Sequence, residues 1–427
     1  MMEKEKLKEI ILSNREFINK EVKYIIKREK VRLPKGLNKV VIFYGVRRSG
    51  KTFVLFDLFK KYYNKSLYID FEDDRLINFS VNDFEILKEA FNELFPHLLS
   101  ENKCFFLDEV QYINGWEKFC RRAVEKENIN VFVAGSSSKI MPLEIHTTLR
   151  GREWSIEITP FSFKEYLLAK GVILGNEYLY GSKKVILKNH FSEYMKWGGF
   201  PEVTLLENDF EKKKLLEEYI AAMFFKDLVE RFNMTNKSLL NTLTDKLFSS
   251  FGQRLSLNAF YKQYKDKFPF SKDSLYEYYK NFIDSMLTFE IKIFSESTYR
   301  RLRNPSKIYV VDQGLVRRVT SEDKGRILEN IAFLELRKKA ENIFYYSEKG
   351  ECDFVVKKDN DFFPHQVCFE LNEKNRKREV DGLVECCSRL GKTEGVILTN
   401  DQEKKMRVES VDIKVLPVWK WLLGRGK

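Results

Sequence analysis

The eight residues Gly45-Val46-Arg47-Arg48-Ser49-Gly50-Lys51-Thr52 constrain this chain more than any other stretch. They fit the pattern G-x-x-x-x-G-K-[ST] and sit between an apolar run, Val40 to Tyr44, and an amphipathic stretch starting at Phe53. A strand feeding a glycine-rich turn aims successive backbone N–H groups, and the N-terminus of the following helix, at a phosphate group. In such a turn Lys51 reaches the β- and γ-phosphates and the Thr52 hydroxyl holds Mg²⁺. The spacing predicts a nucleotide-binding P-loop on a parallel α/β sheet.

Hydrolysis needs a second, acidic position at the end of a neighbouring strand. Cys104-Phe105-Phe106-Leu107-Asp108-Glu109 supplies it: four apolar residues read as a strand buried on both faces, with two carboxylates at its C-terminal end. Asp108 is placed to hold the Mg²⁺ shell and Glu109 to orient or deprotonate the attacking water. No Asn-Lys-x-Asp guanine-reading motif occurs, so ATP is the expected nucleotide. A third apolar strand, Ile129 to Ala134, runs into Gly135-Ser136-Ser137-Ser138. Ser136 fits a sensor that touches the γ-phosphate or the water, and the same serines fit a helix cap.

Further motifs follow: Leu149-Arg150-Gly151-Arg152, Pro160-Phe161-Ser162-Phe163-Lys164-Glu165-Tyr166 and Trp197-Gly198-Gly199-Phe200-Pro201-Glu202. With the P-loop, Leu107 to Gln111 and Gly135 to Ser138, they carry a resemblance that runs nearly the whole chain. The sequence resembles the archaeal and bacterial AAA-type P-loop ATPases that join the ATPase domain to a winged helix and a DUF4143-like, degenerate PD-(D/E)xK nuclease-like C-terminal domain. The resemblance implies an ATPase using ATP and Mg²⁺. It also implies that Arg152, or else Arg150, acts as an arginine finger or γ-phosphate sensor, in cis or from a neighbouring subunit of a homo-oligomer, since an arginine there stabilises charge on the transferred phosphoryl group. Arg47 and Arg48 are open to phosphate, nucleic acid or solvent.

The expected order is an ATPase domain over 1–167, a helical lid or linker over 168–237, a winged helix-turn-helix over 238–323 and a restriction-endonuclease-like α/β domain over 324–427. In the third segment, helices beginning near Ser256 and after an N-cap at Ser271 precede strands at Leu287 to Phe294 and Lys307 to Val311. The helix after Ser271 would read DNA with Lys272, and a wing tip at Tyr299 to Arg303 would meet phosphates through Arg300, Arg301 and Arg303. Asp273 and Glu277 on the same helix oppose that reading.

In the last segment Asp353 matches the first acid of a PD-(D/E)xK site, but Gln366 stands where the Glu belongs and Cys368 where the Lys belongs. An amide binds Mg²⁺ more weakly than a carboxylate and a thiol supplies no ammonium charge, so the expectation is an inactive domain. Glu329, Asp353 and Glu370 form the alternative, a migrated site.

Composition sets the outer limits. The chain of 427 residues is 43% hydrophobic, ample for several packed cores, and carries a net charge of +12. That surplus suits a polyanionic partner through counterion release, and equally a lysine-rich solvated surface. The absence of an 18-residue apolar run or a secretory h-region predicts a cytoplasmic protein with no membrane contact. Six cysteines without C-x-x-C spacing and four scattered histidines exclude a zinc site of familiar spacing. Three functions therefore stand: an ATPase moving its winged-helix and nuclease-like parts on DNA, a slow nucleotide-dependent signalling or defence switch with a protein partner, and an ATP-gated nuclease.

Overall fold

The computed structural model describes residues 2–20, 22–29, 31–34, 38–135, 140, 146–318 and 323–425. Contact density divides the chain into two compact units, 1–159 and 160–427.

The first unit begins with α1 (Lys4–Lys20) and continues through β1 (Val40–Tyr44), α2 (Lys51–Lys61), β2 (Ser66–Asp70), α3 (Asp83–Leu94), β3 (Lys103–Asp108), α4 (Trp116–Lys126), β4 (Ile129–Ala134) and β5 (Glu153–Glu157). The five strands form one parallel sheet in the order β2-β3-β4-β1-β5. Alternate residues along each strand point to opposite faces, so each face builds its own core. Ile42, Ile69, Phe105, Leu107 and Val133 meet α1, α3 and α4 through Ile10, Leu87, Phe91 and Phe119. Phe43, Tyr68, Phe106 and Phe132 on the other face meet Leu55, Phe56 and Phe59 of α2. Both faces are covered, which is why these strands read as unbroken apolar runs.

The second unit opens on α5 (Phe163–Ala169), whose N-terminus is closed by a reciprocal capping box between Ser162 and Glu165. Four helical segments follow: α6 (Gly181–Trp197), α7 (Pro201–Leu205), α8 (Asp209–Ala222), which runs on as a π-helix over Met223–Glu230, and α9 (Lys237–Ser249). Then come β6 (Gln253–Leu255), α10 (Leu257–Tyr264), α11 (Lys272–Asp284), β7 (Thr288–Ile293), α12 (Thr298–Arg303), β8 (Ser306–Val310) and α13 (Lys324–Arg337). The chain ends with β9 (Asn342–Ser347), β10 (Glu351–Lys358), β11 (Asp361–Val367), α14 (Glu373–Arg389), β12 (Glu394–Thr399), β13 (Lys404–Val408), β14 (Val411–Pro417) and α15 (Val418–Leu422). Its strands form one mixed sheet of order β13-β14-β12-β11-β10-β9-β7-β8-β6.

Three features of the packing bear on the expected segments. Contact density groups residues 160–167 with the second unit, where Phe163 and Tyr166 pack on Phe191 and Tyr194 of α6 and the Phe161 N–H donates to the Gly199 carbonyl at 2.7 Å. The division expected between 323 and 324 cuts through a continuous sheet, since β7 pairs in parallel with β9. Tyr299 to Arg303, expected as a wing tip, form α12 behind a Ser297 cap.

The Trp-Gly-Gly motif has a packing role. Asp312, buried, accepts from the Gly199 N–H at 2.7 Å and from the Gly314 N–H at 2.8 Å. Gly198 has φ 79°, and a Cβ there would stand 1.7 Å from Asp312 Oδ1. Only glycine tolerates both the left-handed backbone and that approach. Among the described residues no helix is long and apolar enough to cross a membrane.

Candidate functional site

The turn between β1 and α2 is shaped by backbone constraints that its sequence meets. Gly45 has φ 144° and lies so close to β5 that a Cβ would stand 2.2 Å from the Ile158 carbonyl oxygen. Gly50, at φ 93°, turns the chain into α2, and Arg48 adopts φ 65° between them. Lys51, buried at the helix start, folds its ammonium back onto the Gly45 and Val46 carbonyls at 3.2 and 3.0 Å. Among the described residues the buried Ser49 hydroxyl has no hydrogen-bond partner. An unpaired buried hydroxyl beside a row of loop amides fits a cradle whose partner is an anion.

Asp108 ends β3 on the C-terminal side of the sheet, where β1 also delivers the loop. It is buried, the Tyr68 hydroxyl donates to its Oδ2 at 3.1 Å, and the Glu109 N–H donates to its Oδ1 at 3.1 Å. Burial, reinforced by the Glu109 charge, pushes the Asp108 carboxyl up to about 7. A carboxylate so costly to ionise alone is one that a cation would stabilise, so Thr52 and Asp108 fit a Mg²⁺ shell. Glu109 sits at φ 47°, a left-handed conformation that costs a non-glycine residue roughly 1–2 kcal/mol. That turn carries its side chain away from the strand line, and the Gln111 amide donates to Glu109 Oε2.

Several participants escaped the sequence reading. Asp70 ends β2 directly beside Asp108 in register, and burial raises its carboxyl above the ordinary aspartate range. The Arg28 guanidinium, on the segment before β1, donates to the Ser49 carbonyl at 2.9 Å and also to the Thr159 carbonyl. Arg47 lies 4.0 Å from Glu72 Oε1, the same oxygen that accepts from the Tyr112 hydroxyl at 2.9 Å. Asp70 had a signal in the sequence, an acid closing an apolar strand just as Asp108 does. Arg28 had none, because its contact depends on how an irregular segment returns over the loop.

Arg152 requires a correction. Its carbonyl accepts from the Val40 N–H at 2.7 Å, so it lies beside the start of β1, while the phosphate loop leaves the other end. The intervening strand spans roughly 15 Å. Its side chain pairs with Glu125 at 3.0 Å. The parallel pairing of β5 with β1 puts Arg150 and Arg152 at the wrong end of the sheet to serve this chain's own loop. Ser136 lies outside the described residues.

In the second unit Ser271 caps α11 as expected, and Lys272 is its first residue. Arg300 pairs with Glu348 at 2.6 Å, Arg301 donates to the Ser295 carbonyl at 2.7 Å, and Arg303 donates to the Tyr299 hydroxyl at 2.5 Å. The expected phosphate-contacting arginines thus have intramolecular partners. Asp353 and Gln366 face each other on the β10–β11 hairpin, where the Asp353 N–H donates to Gln366 Oε1 at 3.0 Å. Glu329 is brought to Asp353 by Lys307 of β8, a residue the sequence reading did not assign to this cluster, while Glu370 lines the adjoining cavity. Cys368 is buried and its thiol is pushed up to about 12, so it stays neutral.

An AAA domain is matched by residues 37–167, a domain of unknown function (DUF8612) by 188–325 and a second one (DUF4143) by 324–421. An uncharacterized protein of Methanocaldococcus jannaschii is 37% identical, covering 97% of this chain and 94% of its own length. An uncharacterized protein of Haemophilus influenzae is 26% identical over 91% of this chain and 95% of its own. Among solved structures, the Walker-type ATPase of Pyrococcus abyssi is similar over 66% of this chain and 90% of that chain, at 15% identity and a TM-score of 0.43. The ADP form of the Aeropyrum pernix ORC2 protein is similar over 74% and 98%, at 13% identity and a TM-score of 0.35. With the phosphate loop, its acidic strand end and full-length similarity to the Methanocaldococcus protein in hand, the chain belongs to the family of P-loop proteins that join an AAA domain to a C-terminal DUF4143 domain.

Proposed function

We propose that this protein is a Mg²⁺-dependent ATPase. The observation that carries the reading is the parallel register that brings the phosphate loop after β1 and Asp108 at the end of β3 to the same edge of one sheet. The loop amides and Lys51 bind the phosphates, with Lys51 leaving its two carbonyl partners to do so. Thr52 and Asp108 hold Mg²⁺, which when bound neutralises charge on the phosphate oxygens. Glu109, set off the strand by its left-handed backbone and oriented by Gln111, accepts the proton of the attacking water. A cavity of about 930 Å³ along α2, with Ile25, Val31, Leu33 and Phe53 in its wall, offers an apolar surface for the nucleoside.

The chain order, ATPase core and then the helical and mixed-sheet unit, supports a relay of nucleotide state into the second unit. DNA as the working partner is supported by the net charge of +12 and by Lys272 and the half-exposed Tyr276 on α11. The pairing of Arg300 with Glu348 favours the second reading, a nucleotide-controlled switch acting on a protein. ATP turnover at fixed low salt, with and without single- and double-stranded DNA and with Glu109→Gln as control, tests both. Turnover lost in the control supports the ATPase. Stimulation by DNA supports the motor, and indifference to DNA supports the switch. Turnover unchanged in Glu109→Gln overturns the assignment of the site.

A further inference from the structure

A polar cavity of about 760 Å³ opens in the second unit where β8, α13, β10 and β11 converge. At its floor lie Glu329 of α13 and Asp353 of β10, two buried carboxylates of the kind that hold a divalent cation in a restriction-endonuclease-like fold. The space between them is taken by the Lys307 ammonium. Lys307 Nζ lies 2.7 Å from Asp353 Oδ1, 3.0 Å from Glu329 Oε1 and 3.4 Å from Glu351 Oε1, and its side chain is 4% exposed.

The two carboxylates accept further hydrogen bonds. Asp353 Oδ2 accepts from the Val367 N–H at 2.9 Å, and Glu329 Oε1 accepts a second bond from the Tyr309 hydroxyl at 2.7 Å. Gln366 has a reason to be neutral. Its oxygen takes the Asp353 N–H and its nitrogen donates to buried Glu379 Oε2 at 2.5 Å, so a glutamate at 366 would set two carboxylates against each other. Ammonium-to-oxygen distances of this kind are too long for Mg²⁺, which demands roughly 2.0–2.1 Å and octahedral ligands. A dication and a buried ammonium cannot share one pair of carboxylates without strong repulsion.

We infer that Lys307 is a built-in substitute for the divalent cation, so that this acidic cluster is a closed, metal-independent lock tying β8 to α13 and β10 rather than a nuclease centre. Carboxylates from two elements, α13 and β10, tie the lysine of β8 down. This inference is independent of the ATPase assignment, because every residue in it lies in the second unit.

Mn²⁺ titration of the nucleotide-free full-length protein, followed by electron paramagnetic resonance, tests it. The wild type and Asp353→Asn are expected to bind the same number of Mn²⁺ ions, and Lys307→Met is expected to gain one per chain, lost again in Lys307→Met/Asp353→Asn. A Mn²⁺ ion present in the wild type and absent in Asp353→Asn overturns the inference, as does a folded Lys307→Met protein that gains none. The comparison of wild type with Asp353→Asn decides the matter if Lys307→Met does not fold. Mg²⁺-dependent cutting of plasmid DNA by the wild type, abolished in Asp353→Asn, overturns it equally.

Discussion

Each unit of this protein has a buried lysine and a buried aspartate, and the two lysines are held differently. In the first unit Lys51 hydrogen-bonds two carbonyls of its own loop, and Asp108 accepts from the Tyr68 hydroxyl and the Glu109 N–H. In the second unit Lys307 bonds directly to Glu329 and Asp353. A carboxylate held by neutral donors keeps its negative charge available to a dication, whereas one held by an ammonium has that charge matched within the fold. The position of a single ammonium thus distinguishes the proposed Mg²⁺ site of the first unit from the lysine-filled cluster of the second.

The comparison can be broken most decisively at Glu109. Glu109→Gln is expected to lower ATP turnover by about 10²–10⁴-fold, the scale of a lost general base, with nucleotide binding retained. Asp353→Asn is expected to leave turnover unchanged. A steady-state ATPase assay of both variants reads the contrast directly.

Stability should show the reverse pattern. Lys307→Ala leaves two buried carboxylates uncompensated and is expected to cost about 3–5 kcal/mol, read as a lower midpoint in urea. A loss below about 1 kcal/mol would show that the cluster is less closed than its geometry implies.

Acidity distinguishes the units next. Asp108 and Asp312 are both held up to about 7, chiefly by burial. A carboxyl raised above its unfolded value adds stability that is fully present below the unfolded value near 4 and is lost as pH rises through 7. The nucleotide-free protein should therefore melt at a progressively lower temperature from pH 5 to 8. Mg²⁺-nucleotide binding runs the other way at Asp108, weakening below pH 7 by at most about tenfold per pH unit and releasing a proton. Calorimetry in buffers of different ionisation enthalpy measures that proton.

The smallest effect is expected at Arg152, whose partner Glu125 is partly exposed. Arg152→Ala should change stability by less than about 1 kcal/mol. In dilute monomeric protein it should leave single-turnover hydrolysis unaltered, and a large loss there would mean that a neighbouring subunit contributes this arginine.

The parts of this architecture that were legible in the sequence are the local ones. Gly45 to Thr52 are consecutive, and a phosphate cradle is made of consecutive amides, so eight residues state its chemistry. Asp108 and Glu109 were readable because an apolar strand must end at the sheet edge where ligands bind. The Ser271 cap of α11 and the strands β7 and β8 were similarly visible, since caps and alternation are properties of a few adjacent residues. The packing of residues 160–167 on the second unit was not legible, because Phe163 and Tyr166 look like any aromatic pair until α6 is packed against them.

What the sequence by itself determined is thus a P-loop, its acidic strand end and the two kinds of sheet that follow one another along the chain. The tertiary structure alone decided that Arg152 stands at the far end of β1, that β7 joins β9 into one sheet, and that Lys307 falls between Glu329 and Asp353. The reason is range: the lysine meets carboxylates 22 and 46 residues away, and only the pairing of strands and helices that brings β8, α13 and β10 together fixes which charge neutralises which.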